Sequence, residues 1–230
     1  MHPGSDRLST GCADLDRLIG GGYEPGVVTQ LYGEAATGKS TLCVLATVQA
    51  LRTGRAVVYI DTEGFSVERF RQIAGDEAEV LVERLFLFEP LDLAEQATMI
   101  ANADALLRTR PAALIVLDSA TALYRQEDLE ESNEAMRRLT RQMLHLLGLS
   151  RRHRLPVLVT NQVYMDPERN RVVGLGGTAL EHISKVIVRL EKADGHRRAV
   201  LAKHRSRSEG ERFEFEITET GIRTWHRTGR

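Results

Sequence analysis

The sequence predicts an α/β fold: a mostly parallel central sheet sandwiched by helices and extended by C-terminal antiparallel strands, in a single domain over residues 1–230. Three observations carry this. Gly33-Glu34-Ala35-Ala36-Thr37-Gly38-Lys39-Ser40-Thr41 reads as G-x-x-x-x-G-K-S, a P-loop, between an apolar run that suits a strand and a periodic run that suits a helix. Short apolar runs then alternate with helical periodicity as far as Asn161. Beyond residue 185, strands separated by turn residues follow one another without helices between them.

Residues 1–9 read as a lead-in, and Thr10 suits the cap of a helix over 13–19 that Gly20-Gly21-Gly22 would end. A strand over 27–32 enters the P-loop, and a helix over 39–51 leaves it. A second strand over 56–61 runs into Thr62-Glu63-Gly64. Helices over 66–74 and 76–82 and a strand over 85–88 follow. Asp92 and Glu95 form a capping pair for a helix running to about residue 108, where Pro111 breaks the pattern. Leu114-Ile115-Val116-Leu117 is apolar throughout, as a strand buried on both faces must be, and ends in Asp118. The helix predicted over 133–152 places Met136, Leu139, Met143, Leu144 and Leu147 on one core face. A strand over 157–161 leads into a loop over 163–178. Strands over 185–191, 198–203, 213–217 and 222–225 make two hairpins, the first turning at Asp194-Gly195, and residues 185–226 form the antiparallel extension.

Composition narrows the function classes. The formal net charge of −1 excludes a uniformly cationic coat for nucleic acid, yet residues 185–230 carry twelve Lys/Arg against seven Asp/Glu. Cys12 and Cys43 provide neither a disulfide framework nor a metal cluster, which fits a reducing cytoplasm. Cys43 reads as a small buried apolar side chain. No apolar run approaches a membrane span.

The P-loop calls for a polyphosphate. Its glycines allow a tight turn with amides facing inward, Lys39 would reach the β- and γ-phosphates, Ser40 would ligate Mg²⁺, and Thr41 would reach the α-phosphate. Asp118, closing an apolar strand, suits a carboxylate that holds Mg²⁺ through water. Glu63, just past a strand C-terminus, stands where a carboxylate could orient an attacking water, or it is a surface glutamate. Gln162 could touch a γ-phosphate and signal to the next loop, or simply cap its strand. Lys203 and Arg205 could serve as cationic fingers on a neighbour's phosphates, or form a solvated basic turn around a structural His204.

Several segments resemble the RecA-type recombinase superfamily in its archaeal RadA/RadB branch: Ser9-Thr10-Gly11 with Leu18-Ile19-Gly20-Gly21-Gly22, Tyr59-Ile60-Asp61-Thr62-Glu63-Gly64, Asp118-Ser119-Ala120-Thr121-Ala122-Leu123-Tyr124-Arg125, and Val159-Thr160-Asn161-Gln162-Val163. The resemblance spans about residues 9–222 and implies a RecA-like P-loop ATPase core with ATP and Mg²⁺ as ligands. It implies that Glu63 positions the hydrolytic water, Gln162 senses the γ-phosphate, and Arg69 stacks on adenine. It is strongest toward the RadB family, whose members consist of the ATPase core alone. The core begins within ten residues here, so neither a preceding domain nor a Phe-x-x-Ala motif is expected. The first DNA loop of that branch falls on Gln126-Glu127-Asp128-Leu129-Glu130-Glu131, whose carboxylates repel phosphate. The second is short but keeps Arg169 and Arg171, the expected DNA contacts.

The resemblance thus implies a weak ATPase, little stimulated by DNA, that assists homologous recombination and DNA repair without strand exchange. Its expected partners are single-stranded or branched DNA, held by the backbone, together with the main recombinase RadA and junction-processing enzymes. Its expected location is cytoplasmic and nucleoid-associated; a homo-oligomer stays open. Two alternatives stand beside it: a filament-forming recombinase, and a KaiC-like regulatory ATPase acting on proteins, which the Lys203-His204-Arg205 segment also resembles.

Overall fold

The computed structural model describes residues 7–127, 132–166 and 171–225. The chain runs α1 (Ala13–Leu18), β1 (Val28–Gly33), α2 (Lys39–Arg52), β2 (Ala56–Asp61), α3 (Val67–Ala74), α4 (Ala78–Val82), β3 (Leu85–Phe88), α5 (Leu93–Thr109), β4 (Ala112–Asp118), α6 (Ser132–His153), β5 (Val157–Asn161), β6 (Val163–Asp166), β7 (Arg171–Gly174), α7 (Gly177–Ile183), β8 (Val186–Ala193), β9 (His196–His204), β10 (Arg212–Thr218) and β11 (Gly221–Thr224). Nine strands form one sheet in the order β11-β10-β9-β8-β1-β5-β4-β2-β3. From β8 to β3 neighbouring strands are parallel, and from β8 to β11 they are antiparallel. The predicted fold class is therefore the observed one. One correction concerns β8, assigned from its hairpin to the antiparallel extension: it runs parallel to β1 and turns antiparallel only toward β9.

The two-residue side-chain period divides the sheet cleanly. Leu31, Val57, Tyr59, Leu114, Val116 and Leu158 point to a core shared with α2, α3 and α4. Val28, Val58, Ile60, Ile115, Leu117, Val157 and Val159 point to the opposite core, shared with α5, α6 and α7. Both faces being covered explains why the central strands are apolar without alternation. Each such Leu, Ile or Val contributes about 1.5–3 kcal/mol on burial.

Local chemistry corrects several sequence expectations. Cys12, not Thr10, is the N-cap of α1, and no side chain caps it. Thr10 instead folds the approach: its hydroxyl donates to the Cys12 carbonyl at 3.0 Å and accepts from the Cys12 amide at 3.2 Å. Asp92 does cap α5, accepting from the Ala94 and Glu95 amides, while Glu95 accepts from the Leu91 amide. Leu144 is 53% exposed, because it lies about 140° round α6 from Leu139 at 100° per residue, off the stripe that meets the sheet. The segment 163–178 is not one loop. It holds the β6–β7 hairpin, paired from Val163↔Gly174 to Asp166↔Arg171, and the start of α7. Two four-residue strands that pair only with each other leave little periodicity to read. Among the described residues no helix is long and apolar enough to cross a membrane.

The glycine run after α1 is required by geometry. Gly22 has φ +115°, and a Cβ there would lie 2.4 Å from the Leu8 carbonyl oxygen, which itself accepts from the Tyr23 amide at 2.7 Å. Gly22→Ala should therefore cost about 1–3 kcal/mol of stability, read as a lowered thermal midpoint. An unchanged midpoint would show that this approach is not needed.

Candidate functional site

The parallel strands deliver their C-termini to one edge of the sheet. Gly33 ends β1, Asp61 ends β2, Asp118 ends β4 and Asn161 ends β5, and Asp61 pairs in register with Asp118. Ligand crevices of open α/β sheets lie at this edge.

The P-loop leaves β1 at Gly33, where a Cβ would sit 2.2 Å from the Leu190 carbonyl oxygen of β8. It enters α2 through Gly38, the N-cap, with φ +101°. The first amides of α2 lack helical acceptors, so this turn presents donors and the positive end of the helix dipole to an anion. Lys39 is 8% exposed, and its ammonium donates to the Gly33 and Glu34 carbonyls at 2.9 Å each. Burial lowers its pKa, and the charges of Glu63 and Asp118 partly offset that. The loop is braced by Thr37, whose hydroxyl donates to the Glu34 carbonyl at 2.8 Å.

Asp118 is 2% exposed. Its carboxylate accepts from Tyr59 Oη at 2.9 Å and from Thr160 Oγ1 at 2.5 Å. Burial raises its pKa, although Thr160, Tyr59 and the Ser40 hydroxyl favour the charged form. Tyr59→Phe removes one donor from a buried carboxylate and should cost about 1–3 kcal/mol in urea denaturation; no loss would mean that water replaces the hydroxyl.

Glu63 is held by its backbone. Asp61, buried, accepts from the Gly64 amide at 2.9 Å and the Glu63 amide at 3.5 Å, curling the chain just past β2. Thr62 exchanges hydrogen bonds with Ser119, donating to its carbonyl at 3.1 Å and accepting from its amide at 2.8 Å. The Glu63 carboxylate accepts from Gln162 Nε2, and Gln162 Oε1 accepts from Arg125 at 2.5 Å. Lys39, Glu63, Arg125 and Gln162 thus meet around one cleft of about 320 Å³, with Gly33, Glu34, Ala35 and Val163 completing its wall. The sequence reading assigned nothing to Arg125, Asp61, Thr62, Tyr59 or Thr160. Their places beside Asp118 and Glu63 in the quoted motifs were the available signal.

Other assigned residues lie elsewhere. Arg69 donates to the Glu219 and Gly221 carbonyls at 2.9 Å each, tying α3 to the β10–β11 turn. Gly38 faces the same hairpin layer, since a Cβ on it would meet Ile217 at 3.2 Å. Lys203 pairs in register with Ile187, which is level with Gln30 of β1, and its ammonium donates to the Glu181 carbonyl. Arg205 pairs with Glu24, ahead of β1. Neither lines the Lys39 cleft, so a finger role would have to act on another copy's phosphates. Arg171 opens β7, while Arg169 and residues 128–131 of the acidic segment lie outside the described residues. Glu127 of that segment is paired with Arg138 at 3.5 Å.

The donor set suits a hard divalent cation bound together with a polyphosphate. Ser40, in the first turn of α2, and Asp118, at the end of β4, would supply two oxygens, and the buried carboxyl is where a cation would offset the cost of charge. Among the described residues no group of three or more His, Cys, Asp or Glu could hold a metal. A magnesium ion held here would take its remaining ligands from phosphates and water.

Known proteins resemble this chain over nearly its whole length. The Rad51 family model matches residues 6–225. The chain is 62% identical over 222 residues to "DNA repair and recombination protein RadB" of Methanoculleus marisnigri, covering 96% of this chain and 99% of that protein. It is 42% identical to the protein of the same name from Archaeoglobus fulgidus, over 94% of this chain and 97% of that one. A solved structure described as "Crystal structure of the RadB recombinase" superposes with a TM-score of 0.80 at 42% identity, covering 94% of this chain and 98% of that one.

Proposed function

Because the chain belongs to the Rad51 family, in its RadB group, we propose that it is an ATP-switched, DNA-binding accessory protein of homologous recombination and DNA repair, with weak ATPase activity and no strand exchange. The observation that carries this reading is the convergence of Lys39, Glu63, Arg125 and Gln162 on one cleft at the strand C-termini. All described strands except β6 and β7 join one sheet, which supports a single ATPase domain over residues 1–230.

In this reading the amides of residues 33–41 and the Lys39 ammonium bind the phosphates of ATP. Ser40 and Asp118 hold Mg²⁺, which supplies charge neutralisation on those phosphates. Glu63 orients a water whose oxygen attacks the γ-phosphorus as the bond to the β–γ bridging oxygen breaks, giving ADP and inorganic phosphate. Arg69, at the β10–β11 turn, lies against the adenine. Slow turnover is supported by the engagement of the Glu63 carboxylate with Gln162, itself held by Arg125. That carboxylate must exchange partners before it can hold a water.

Gln162 also links the site to the β6–β7 hairpin, because its carbonyl accepts from the Leu175 amide at 2.9 Å, just past β7. A γ-phosphate drawing on the Gln162 amide would reposition the β6–β7 hairpin, which Arg171 opens on its second strand, and so change the DNA affinity that Arg169 and Arg171 supply. The main recombinase RadA and junction-processing enzymes at the nucleoid are the protein partners of this reading. Lys203 and Arg205 are fingers for a neighbouring copy in any homo-oligomer.

The test is ATP binding and phosphate release by the purified chain, with and without single-stranded DNA. Binding with slow turnover, changed less than about threefold by DNA, is expected. Stimulation of about tenfold or more, with filaments on the DNA, would replace this reading by an active recombinase. No ATP binding would end it.

A further inference from the structure

The opposite edge of the sheet carries a second concave surface. It is a cleft of about 720 Å³ whose lining includes Arg7, Glu24, Arg55, Arg151 and Arg154. Its walls come from the segments ahead of β1, β2 and β5 and from the start of β4, at the strand ends away from the P-loop. Six residues of β1 at about 3.3 Å each put the two edges roughly 20 Å apart.

The charge here is unbalanced. Glu24 already pairs with Arg7 at 2.8 Å and with Arg205. Arg55, Arg151 and Arg154 are exposed, and none makes an ion pair or side-chain hydrogen bond among the described residues. Their neighbours show that this is selective: in the run Arg151-Arg152-His153-Arg154, Arg152 and His153 both bond Asp104 of α5, at 2.9 and 2.7 Å. Arg151 and Arg154, three positions apart, are left to the cleft.

A second observation concerns Arg154. It follows α6 with φ +51°, a left-handed position at which Gly or Asn is the usual residue. The backbone there is pinned: the Leu155 amide donates to the Ser150 carbonyl at 3.1 Å and the Gly26 amide to the Leu155 carbonyl at 3.1 Å. A glycine would take this conformation without strain, whereas arginine adds a guanidinium to the cleft.

We propose that this cleft holds backbone phosphates of DNA, at the edge opposite the nucleotide and independently of ATP. Guanidinium groups match phosphate oxygens in a bidentate fork. The lining contains no aromatic ring on which a base could stack, which favours the phosphodiester backbone over a free nucleotide. With the β6–β7 hairpin at the other edge, the molecule would contact DNA on two sides, as a branched substrate requires. The inference rests on the DNA-binding reading above.

The test is the salt dependence of binding to a fluorescent DNA duplex by the wild-type chain and by the Arg55→Ala/Arg151→Ala/Arg154→Ala variant, with and without ATP. The slope of log affinity against log salt should become shallower by about two to three in the variant, and binding roughly tenfold or more weaker in 0.1 M salt. ATP binding should be unchanged. If the triple variant melts early, Arg55→Lys/Arg151→Lys/Arg154→Lys keeps the charges and should keep the slope, while Arg55→Ala/Arg151→Ala should lose part of it. Wild-type DNA binding with an unchanged slope in the alanine variants overturns this inference alone. No DNA binding by the wild type overturns the functional reading and this inference with it. Loss of poly-glutamate binding without change in DNA binding would reassign the cleft to an acidic protein segment.

Discussion

Lys39→Ala is expected to abolish ATP binding in the micromolar range and to lower turnover by about 10²–10³-fold, as removing one preorganised charge from a phosphate site does. The ammonium sits between the Gly33 and Glu34 carbonyls, within reach of Glu63 and Asp118. It is already desolvated, so a phosphate approaching it gains the interaction without first stripping water from the lysine. The loss should fall on binding and not on folding. Alanine removes a buried cation whose burial is itself unfavourable, while the Thr37 brace and the helix entry at Gly38 remain. Calorimetric titration with ATP and Mg²⁺, beside a thermal melt without nucleotide, separates the two. Retained affinity with an intact melt would mean that the loop amides alone bind the nucleotide.

Glu63→Gln should do the converse: ATP affinity within about twofold of wild type, and phosphate release slower by about 10²–10⁴-fold, the contribution of a positioned general base. The substitution keeps size and shape, and the new amide oxygen can still accept from Gln162 Nε2. The turn that presents the side chain depends on Asp61 and Thr62, which are untouched. What is lost is the negative charge and the capacity to take a proton from water. Single-turnover phosphate release measures this directly. A rate within threefold of wild type would place the base elsewhere.

Much of this molecule could be read from its residues. The P-loop, the strand closing at Asp118 and the Asp-Thr-Glu-Gly turn are local patterns, and each lies where its neighbours in sequence imply. The turn at Asp194-Gly195 marks the β8–β9 hairpin for the same reason. The departures from these expectations have particular local causes. Thr10 lost the cap of α1 while its hydroxyl bonded the Cys12 backbone and Asp16 took its amide at 2.7 Å. Leu144 is apolar but faces away from both cores. The hairpin of β6 and β7 is defined by pairing across a four-residue gap.

Sequence alone determined that a G-x-x-x-x-G-K-S loop, a strand closing on Asp118 and a carboxylate just past a second strand exist in this chain, because backbone freedom at glycine, strand burial and side-chain type are local properties. Tertiary structure decided how they act together. The order β1-β5-β4-β2 brings Gln162 between the P-loop and Glu63, and a residue with no assigned role, Arg125, completes that line. It also sends Lys203 and Arg205 away from the Lys39 cleft, and gathers Arg55, from the turn before β2, with Arg151 and Arg154, from the end of α6, into a basic surface at the far edge. Which strands lie side by side depends on packing two faces of one sheet, a property of the whole chain that no single stretch of it carries.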